Sequence, residues 1–477
     1  MNAKPRTFND DIGSTSNTQT TSPSRIKDTE GSPGIPERRN GSTYGIPDDY
    51  TNLNELEASS PIENANNADV FQHRSLEEPR RQVLEYERNE GESQNRSPSE
   101  ENGKNNNLAV SKSATHLYTV SYLILFSFLG TLARLGLQTI TFYPGAPVIF
   151  SELWANFGGS LFMGFLIEDR MLFREEWGGP TYHQQPEKVK QQGRDEGNQA
   201  SKHIIDVQAA KKAHTAVKKT IPLYIGLATG FCGCFTSFST FIRDAYLALS
   251  NDLPTPSAST IHRNGGYSFM AVPAVIITTV SLCMSGLYIG AHVAIATQQY
   301  MPSIPFKLGR KFLDPISVFL AWGCWIGAIF LAIFPPDRSN GLSEIWRGRA
   351  VFAMVFAPLG CLGRFYASLY INRKIVSFPL GTFLVNILGT AILGMSYDLQ
   401  HVPLGGVVGC QILQGIEDGF CGCLTTVSTW VGELSSLGRR HAYRYGAASV
   451  AIALCFMVVI MGSMQWTRGF EPLLCKH

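Results

Sequence analysis

The sequence is organised around a twelve-residue stretch that occurs twice, as GFCGCFTSFSTF at residues 230–241 and as GFCGCLTTVSTW at residues 419–430. Eight of the twelve positions are identical. Each copy lies in an apolar run long enough to cross a membrane, yet contains two glycines and a cluster of hydroxyl side chains. Glycine loosens a helix, and hydroxyl groups replace the hydrogen bonds that the backbone loses. We therefore predict two broken intramembrane helices, a pattern typical of an ion or substrate site.

The rest of the 477-residue chain divides into a polar and an apolar part, which average to a mean hydropathy near zero. Residues 1–117 are rich in Ser, Asn, Glu, Arg, Pro and Gly, so they predict a disordered cytoplasmic tail. The remainder is apolar enough for a membrane protein. The formal net charge of +2 gives no reason to expect a nucleic-acid partner. Met1 begins a polar segment, which does not read as a signal peptide.

Nine apolar runs approach the roughly 20 residues that a bilayer requires. They lie at 119–140, 148–168, 221–249, 270–297, 313–335, 350–371, 378–397, 405–435 and 446–466. A polar insertion at 169–219 separates the second from the third. The third and eighth runs are over-long, as broken helices would be. Lysines and arginines in the short loops, eight against four, favour a cytoplasmic amino terminus and an extracellular carboxyl terminus.

The repetition extends beyond the opening motif. Two further motifs recur 230 residues apart: Gly130-x-x-x-Arg134 with Gly360-x-x-x-Arg364, and Asn156-x-x-Gly159 with Asn386-x-x-Gly389. We therefore predict an all-α membrane protein with nine transmembrane helices, in which two four-helix repeats, 118–298 and 350–477, are joined by a linker, 299–349, containing the helix 313–335. Four spans return the chain to its starting side, so one linking span inverts the second repeat. Inverted repeats place sites at the bilayer midplane.

Polar side chains inside the spans are the candidates for function. Asn156 and Asn386 can be interhelical hydrogen-bonding groups or part of an ion path. Arg134 and Arg364 can extend to the interface or attract an anion. Acids inside the spans are few, and we expect none to recur at matching positions. That expectation counts against a proton-relay transporter, and no pattern suggests an enzyme.

Aromatic and hydroxyl side chains suggest an anion path in the first repeat. Phe238 and Phe241 share a helix face and alternate with hydroxyl residues that include Ser239, and the positive edge of an aromatic ring can approach an anion. Val427 and Trp430 replace the two phenylalanines in the second copy.

The fourth span adds a polar stripe along one face. The stripe contains Thr278, Ser281, Ser285, Tyr288 and His292. Aligning Gly290 with Gly462 sets the first four of these residues opposite Val450, Ala453, Met457 and Ile460. We therefore expect the two repeats to share a frame but to differ in function.

These motifs resemble the fluoride channel family, which comprises bacterial Fluc (CrcB) and the eukaryotic fluoride export proteins, FEX. The resemblance covers about 119–297 and 350–466, and it implies two fused four-helix units that form a fluoride channel of the plasma membrane. The implied partners are fluoride and the lipid bilayer, with the fused chain acting as a monomer. The alternatives are an inverted-repeat secondary transporter of another small solute and a membrane scaffold.

The resemblance also implies roles for particular residues. It puts pore asparagines at Asn156 and Asn386, and pore phenylalanines at Phe238 and Phe241. It implies a structural sodium ion held by backbone carbonyl groups, at Gly233, Thr236, Gly422 and Thr425. The departures at Val427 and Trp430 predict one working pore, lined by Thr278, Ser281 and Ser285, and one degenerate pore. The ten cysteines are expected to be mostly small buried apolar residues.

Overall fold

The computed structural model describes Pro47, Tyr50 and residues 111–150, 152–173, 218–253, 264–305, 308–335, 347–375, 377–402, 405–473 and 475. Within these residues the chain is helical and contains no β-strand, so the predicted all-α class is confirmed. Most of the predicted disordered tail and most of the insertion at 169–219 lie outside the described residues.

In the part of the chain that the structure describes, nine helical elements follow one another. They are α1 (Lys112–Thr141), α2 (Leu153–Glu168), α3 (Pro222–Ser250), α4 (Gly265–Thr297), α5 (Gly309–Ile333), α6 (Ala350–Ile371), α7 (Leu380–Gln400), α8 (406–436) and α9 (Arg439–Thr467). Seven of them, all except α2 and α8, are long and apolar enough to cross a membrane by length and composition. The 16-residue α2 is short, and α8 is interrupted. The predicted number of nine spans is therefore not confirmed.

Side-chain caps explain where two of the long helices begin. The Ser111 hydroxyl accepts a hydrogen bond from the Ala114 N–H at 3.2 Å, so α1 starts earlier than the predicted 119. The side-chain oxygen Oδ1 of Asn264 accepts a hydrogen bond from the Tyr267 N–H at 3.1 Å, and α4 starts there. Such caps satisfy amide groups that have no partner within the helix.

Both predicted helix breaks are present. The first part of α3 contains a π-helical segment, Gly226–Cys232, followed by the turn Gly233–Phe235; Thr236 and Ser237 are extended, and the helix resumes as Phe238–Ser250. The first part of α8 ends in the π-helical segment Ile416–Cys421 and the turn Gly422–Leu424, and the helix resumes as Ser428–Ser436. π-Helical segments inside helices often accompany functional sites.

Each resumed segment packs across the boundary between the two halves of the chain. Phe238–Ser250 packs against α7 and α9 as well as α4. Ser428–Ser436 packs against α2 and α4 as well as α9. The two halves therefore interlock around the breaks.

The linking helix α5 lies at the periphery, against α1 and the start of α6. The Trp325 indole N–H donates to the Val355 carbonyl at 3.0 Å, and the Trp322 indole donates to the Ser121 hydroxyl at 3.3 Å. Phe319 and Phe330 of α5 are exposed, which suits contact with lipid chains. The two tryptophans thus fix α5 to its neighbours.

Candidate ion site at the crossing of the broken helices

Asn156 of α2 holds the break in α3. Its side-chain oxygen accepts a hydrogen bond from the Ser237 N–H at 2.9 Å, and its amide nitrogen donates to the Ser237 carbonyl at 3.3 Å. The side chain is fully buried. One asparagine thus satisfies both backbone groups of a residue that has left the helix, groups that would be costly to bury without partners.

Asn386 of α7 does the same for α8. It accepts from the Thr426 N–H at 2.9 Å and donates to the Thr426 carbonyl at 3.2 Å. Asn156 and Asn386 are 230 residues apart, and Ser237 and Thr426 are 189 apart, the offsets of the two sequence motifs. The matching bonds show that both copies use the same local structure.

Each break also caps the other. The Thr236 hydroxyl accepts from the N–H groups of Val427 and Ser428, both at 3.2 Å, at the start of the resumed segment of α8. The Thr425 hydroxyl accepts from the Ser239 N–H at 3.1 Å, at the start of the resumed segment of α3. Threonine is a good N-cap, but here it caps a helix from the other half of the chain. The two broken helices therefore cross at these threonines.

At each break, hydrogen bonds from backbone N–H groups to side chains leave two backbone carbonyl groups without their helical donors, four in all. In a continuous helix the N–H of residue i donates to the carbonyl of residue i−4. The Ser237 and Thr426 N–H groups bond to asparagines instead, which deprives Gly233 and Gly422 of these donors. The Thr240 N–H donates to Ser237 Oγ at 3.3 Å and the Thr429 N–H to Thr426 Oγ1 at 3.4 Å. The carbonyl groups of Thr236 and Thr425 lose their helical donors in this way.

Arg134 and Arg364 are buried beside this crossing. Arg364 donates to the Thr229 carbonyl at 2.7 Å, and Arg134 donates to the Asp418 carbonyl, so each arginine reaches the broken helix of the other half. Their side chains are at most 2 % exposed. Among the described residues, Nε and Nη1 of both guanidinium groups have no hydrogen-bond partner.

The close approach of these arginines explains two motif glycines. A Cβ atom added at Gly233 would collide with the Arg364 guanidinium, and one added at Gly422 would collide with that of Arg134. Glycine is required at both positions because no side chain fits between the helix and the guanidinium group. The buried pair thus lies directly against two of the residues with released carbonyl groups.

The aromatic residues of the two copies meet. Phe238 is fully buried and makes edge-to-face contacts with Phe241, at 5.7 Å between ring centroids, and with Trp430, at 5.3 Å. Val427 is buried in the same cluster. Trp430 is 1 % exposed, and no described residue accepts a hydrogen bond from its indole Nε1. The residues assigned to two separate pores therefore share one core.

The predicted polar stripe of α4 does not join that core. Ser281 and Ser285 are exposed, as are Ile277 and Ile289 along the same face, and Thr278 is half-buried. The side chains of α4 that point inward include Thr279, Cys283 and Leu287. The structure therefore does not bring Ser281 and Ser285 together with Phe238.

Burial also corrects the alignment between α4 and α9. The buried positions of α4 match the buried positions of α9 at an offset of 170 residues. Pairing Gly290 with Gly462 gives an offset of 172, which pairs buried positions with exposed ones. The buried series Val275, Thr279, Cys283 and Leu287 then corresponds to Tyr445, Ser449, Ala453 and Met457. The difference has a simple cause, because one glycine in a helix is a weak marker of register.

A matched pair of buried acids was not predicted from the sequence. Asp244 and Glu433 lie 189 residues apart in the resumed segments and are both buried, so the expectation that no acid recurs was wrong. Glu433 accepts from the Thr382 hydroxyl and the Tyr445 hydroxyl, each at 2.6 Å. The offset of the opening motif, extended a few residues further, would have found the pair.

Asp244 lies in a different setting from Glu433. Arg243 contacts Asp244 at 3.4 Å and Glu417 of α8 at 3.6 Å. Glu152, at the start of α2, is buried and accepts a hydrogen bond from Gln138. The acid in the first half therefore belongs to a charged cluster, and that in the second half to a network of hydroxyl groups.

A disulfide bond was also missed. Cys410, near the start of α8, is bonded to Cys475 in the carboxyl-terminal segment. Neither residue lies near the centre of an apolar run, and the predicted orientation puts the start of the run 405–435 and the carboxyl terminus on the same, extracellular side. That shared side is the signal that could have paired them.

Comparison with known proteins decides the family. The sequence profile of the CrcB-like protein family, Camphor Resistance (CrcB), matches residues 121–291 and 351–463, more than half of the chain. The chain belongs to this family. The CrcB-like regions contain both broken helices, both asparagines and both arginines, and they leave out α5 and the tail. The resemblance drawn from the motifs is thereby confirmed.

Three relatives show how far the similarity extends along the chain. Fluoride export protein 1 of Neurospora crassa is 54 % identical over 455 residues, covering 91 % of this chain and 85 % of that protein. Fluoride export protein 1 of Candida albicans is 30 % identical, covering 72 % and 78 %. The fluoride-specific ion channel FluC of Acinetobacter baylyi is 33 % identical over 115 residues, covering 23 % of this chain and 88 % of its own. No solved structure matches the chain.

Proposed function

We propose that the protein is a fluoride-selective channel that lets cytosolic fluoride leave the cell down its electrochemical gradient. The observation that carries the proposal is the crossing of two asparagine-supported helix breaks beside two buried guanidinium groups with unfilled donors. The names of the relatives, fluoride export protein and fluoride-specific ion channel, supply the ion. An inside-negative potential contributes about 2.3 kcal/mol per charge per 100 mV to export of an anion.

The proposal includes nine spans and two inverted repeats in the plasma membrane. Inversion is supported by the contacts at the helix ends. The last turn of α1 meets the start of α2 through Gln138 and Glu152, and the end of α6 meets the start of α7 through Asn372 and Thr382, which are 10 residues apart and hydrogen-bonded. In an alternating topology these two matched contacts fall on opposite sides of the membrane.

The orientation, with the amino terminus inside, has its own support. The disulfide between Cys410 and Cys475 joins two segments that this orientation places outside the cell. Disulfide bonds persist in oxidising surroundings and are rare in the cytosol.

A structural sodium ion is also part of the proposal. The carbonyl groups of Gly233, Thr236, Gly422 and Thr425 have each lost a helical donor, and free carbonyl oxygens suit a hard cation. These residues would hold the ion, which would supply positive charge at the crossing. The residues present therefore fit sodium by the chemistry of their oxygen atoms.

Within this frame we propose unequal paths, one of which conducts past Phe238 and Phe241 while the other is degenerate at Val427 and Trp430. The edges of the two phenylalanine rings can approach an anion, whereas the valine offers no such edge. Ser239 lies next to them and contacts the Thr425 hydroxyl at 3.0 Å. In this proposal water covers the outer face of α4, and the path there is lined by Thr278, Ser281 and Ser285.

One observation favours a second candidate function. Asp244 and Glu433 form the matched pair of buried acids that a proton-coupled secondary transporter with inverted repeats could use. The two candidates differ in kinetics, because the flux through a carrier saturates with substrate whereas a channel conducts much faster. The pair keeps this alternative open for the same fold.

The test is fluoride efflux from proteoliposomes that contain the purified full-length chain, with chloride as the control ion. We expect rapid, voltage-dependent fluoride efflux that does not saturate, and little chloride efflux. Chloride efflux equal to fluoride efflux would refute the selectivity. Saturating flux that depends on a proton gradient would instead support the carrier.

A further inference from the structure

Tyr50 is far from the helices in sequence but lies inside them in the structure. It precedes α1 by about 60 residues, and its side chain is only 1 % exposed. The Tyr50 N–H donates to the Pro47 carbonyl at 2.9 Å, closing a turn that presents the ring. Burial of a tyrosine from a polar tail needs a cause, because ordering the tail costs entropy.

The hydroxyl group of Tyr50 takes part in a polar chain that crosses the boundary between the two halves. It is hydrogen-bonded to Nδ1 of His116 in α1 at 3.0 Å. Nε2 of the same histidine is bonded to the Tyr366 hydroxyl in α6 at 3.3 Å. A neutral imidazole has one donor and one acceptor nitrogen, and a tyrosine hydroxyl can complement either. His116 therefore joins Tyr50 to both halves.

The ring of Tyr50 fills an apolar pocket. It meets Phe365 edge to face, at 5.8 Å between ring centroids and 89° between the planes. The other apolar residues of the cluster come from α1, α3, α6 and α8: Leu123, Ile225, Cys234, Ala357, Cys361, Leu369 and Cys423. Edge-to-face pairs are a favoured aromatic geometry, and a buried tyrosine normally finds a partner for its hydroxyl. The pocket satisfies both requirements.

We propose that this pocket between α1 and α6 is a binding site for the tail's own tyrosine. The ligand class is a tyrosine carried on a proline-containing turn, and the occupant is Tyr50 of the same chain. Tyr50 and His116 lie outside the regions matched by the family profile, whereas Phe365 and Tyr366 lie inside them. Tail binding is thus an addition to the shared frame that fastens one half to the other. It does not depend on which ion the protein carries.

Photo-crosslinking in the full-length protein tests the site directly. A benzophenone amino acid in place of Tyr50 should form an adduct within residues 116–123 or 357–369, located by mass spectrometry of the digested protein. The matched control puts the same group in place of Tyr44, the preceding tyrosine of the tail. Adducts no more frequent than in that control, or adducts that join two copies of the chain, would overturn the proposal.

Thermal unfolding of full-length variants supplies a second readout. Tyr50→Ala should lower the unfolding temperature by about 5 °C, Tyr50→Phe by less, and Tyr44→Ala not at all. Tyr50→Phe and His116→Phe remove the same hydrogen bond, so the double variant should lose less than the sum of the two single losses. Additive losses, or no loss in Tyr50→Ala, would show that the site does not hold the tail.

Discussion

The two broken helices agree at the centre and differ at their ends. In α3 and α8 alike, an asparagine from a neighbouring helix holds the break and a threonine caps the opposite helix. Beyond the breaks, α3 continues into the charged cluster of Arg243 and Asp244, whereas α8 continues to Glu433, which is bonded to hydroxyl groups. The shared part maintains the crossing, and the divergent parts are where the halves can acquire separate roles.

Their beginnings are also fastened by different means. Lys218, just before α3, donates to the carbonyl groups of Leu166, Ile167 and Asp169 at the end of α2, at 2.7, 3.1 and 2.6 Å. The start of α8 is fastened by the Cys410–Cys475 disulfide. In the proposed topology the first fastening is cytoplasmic and the second extracellular, so each suits its redox environment.

Replacement of the asparagines tests the shared centre and should have the largest effect. Asn156→Leu and Asn386→Leu each leave a buried N–H and a buried carbonyl without partners, at roughly 1–3 kcal/mol per group. We expect the free energy of unfolding to fall by about 2–6 kcal/mol in both variants. Denaturant unfolding in detergent measures it. Ser285→Leu, on an exposed face of α4, is the control. A large loss in only one half would show that the two centres are not equivalent.

Reduction tests the fastening of α8. Cys410→Ser should lower the stability by about 2–4 kcal/mol, because the unfolded chain regains the freedom of a loop that spans 65 residues. The same loss should follow when wild-type protein is treated with a reductant, and reductant should leave Cys410→Ser unchanged. Cys455→Ser, at an exposed free cysteine, serves as the control. This control keeps the Cys410–Cys475 bond, so it should be as stable as wild type and should lose the same stability in reductant. Wild type or Cys455→Ser that keeps its full stability in reductant would argue against the disulfide.

Exchange of the aromatic residues sharpens the comparison of the two paths. Phe238→Leu should slow fluoride efflux about tenfold, if the ring edge stabilises the passing anion by about 1.4 kcal/mol. Val427→Leu, at the matching position, should leave efflux nearly unchanged. Efflux from proteoliposomes, normalised to the amount of folded protein, measures both. The reverse order would assign conduction to the other path.

Lys218 provides the smallest of the four effects. Burial lowers the pKa of Lys218 to about 8, while the nearby Asp169 carboxylate acts in the opposite direction. Between pH 8 and the usual pKa of 10.5, the unfolded state binds more protons than the folded state, so the contribution of Lys218 to stability rises with pH. We expect wild type to gain about 1 kcal/mol over Lys218→Met between pH 8 and pH 9. A pH series of unfolding curves checks it, and a constant difference would contradict it.

The sequence predicted structure best at the motifs that occur in both halves of the chain. Periodic apolar runs predicted helices, and the glycine and hydroxyl residues of the motif predicted both breaks, because these are local properties of a few consecutive residues. The candidate asparagines, arginines and motif threonines also lie together at the crossing. Repetition at constant offsets was the decisive signal, since it identifies residues that must fill equivalent places.

Properties that depend on how helices rotate against one another could not be read in the same way. Ser281 and Ser285 share a face with Thr278, but only packing decides whether that face points to the core, and the face that enters it carries Thr279 and Cys283. The partner of Phe238 was likewise sought in its own half, whereas Trp430 comes from the other. The Tyr50 contact joins residues 66 positions apart and has no counterpart among the described residues of the second half.

The reciprocal caps have a consequence for how such a chain can change over generations. Thr236 caps the start of the helix Ser428–Ser436, and Thr425 caps the start of the helix Phe238–Ser250. A substitution at either threonine therefore harms the copy to which that threonine does not belong. Neither duplicate can therefore decay freely at the crossing, even if it has stopped conducting. A half that no longer conducted would still be retained, because its threonine supports the structure of the half that does.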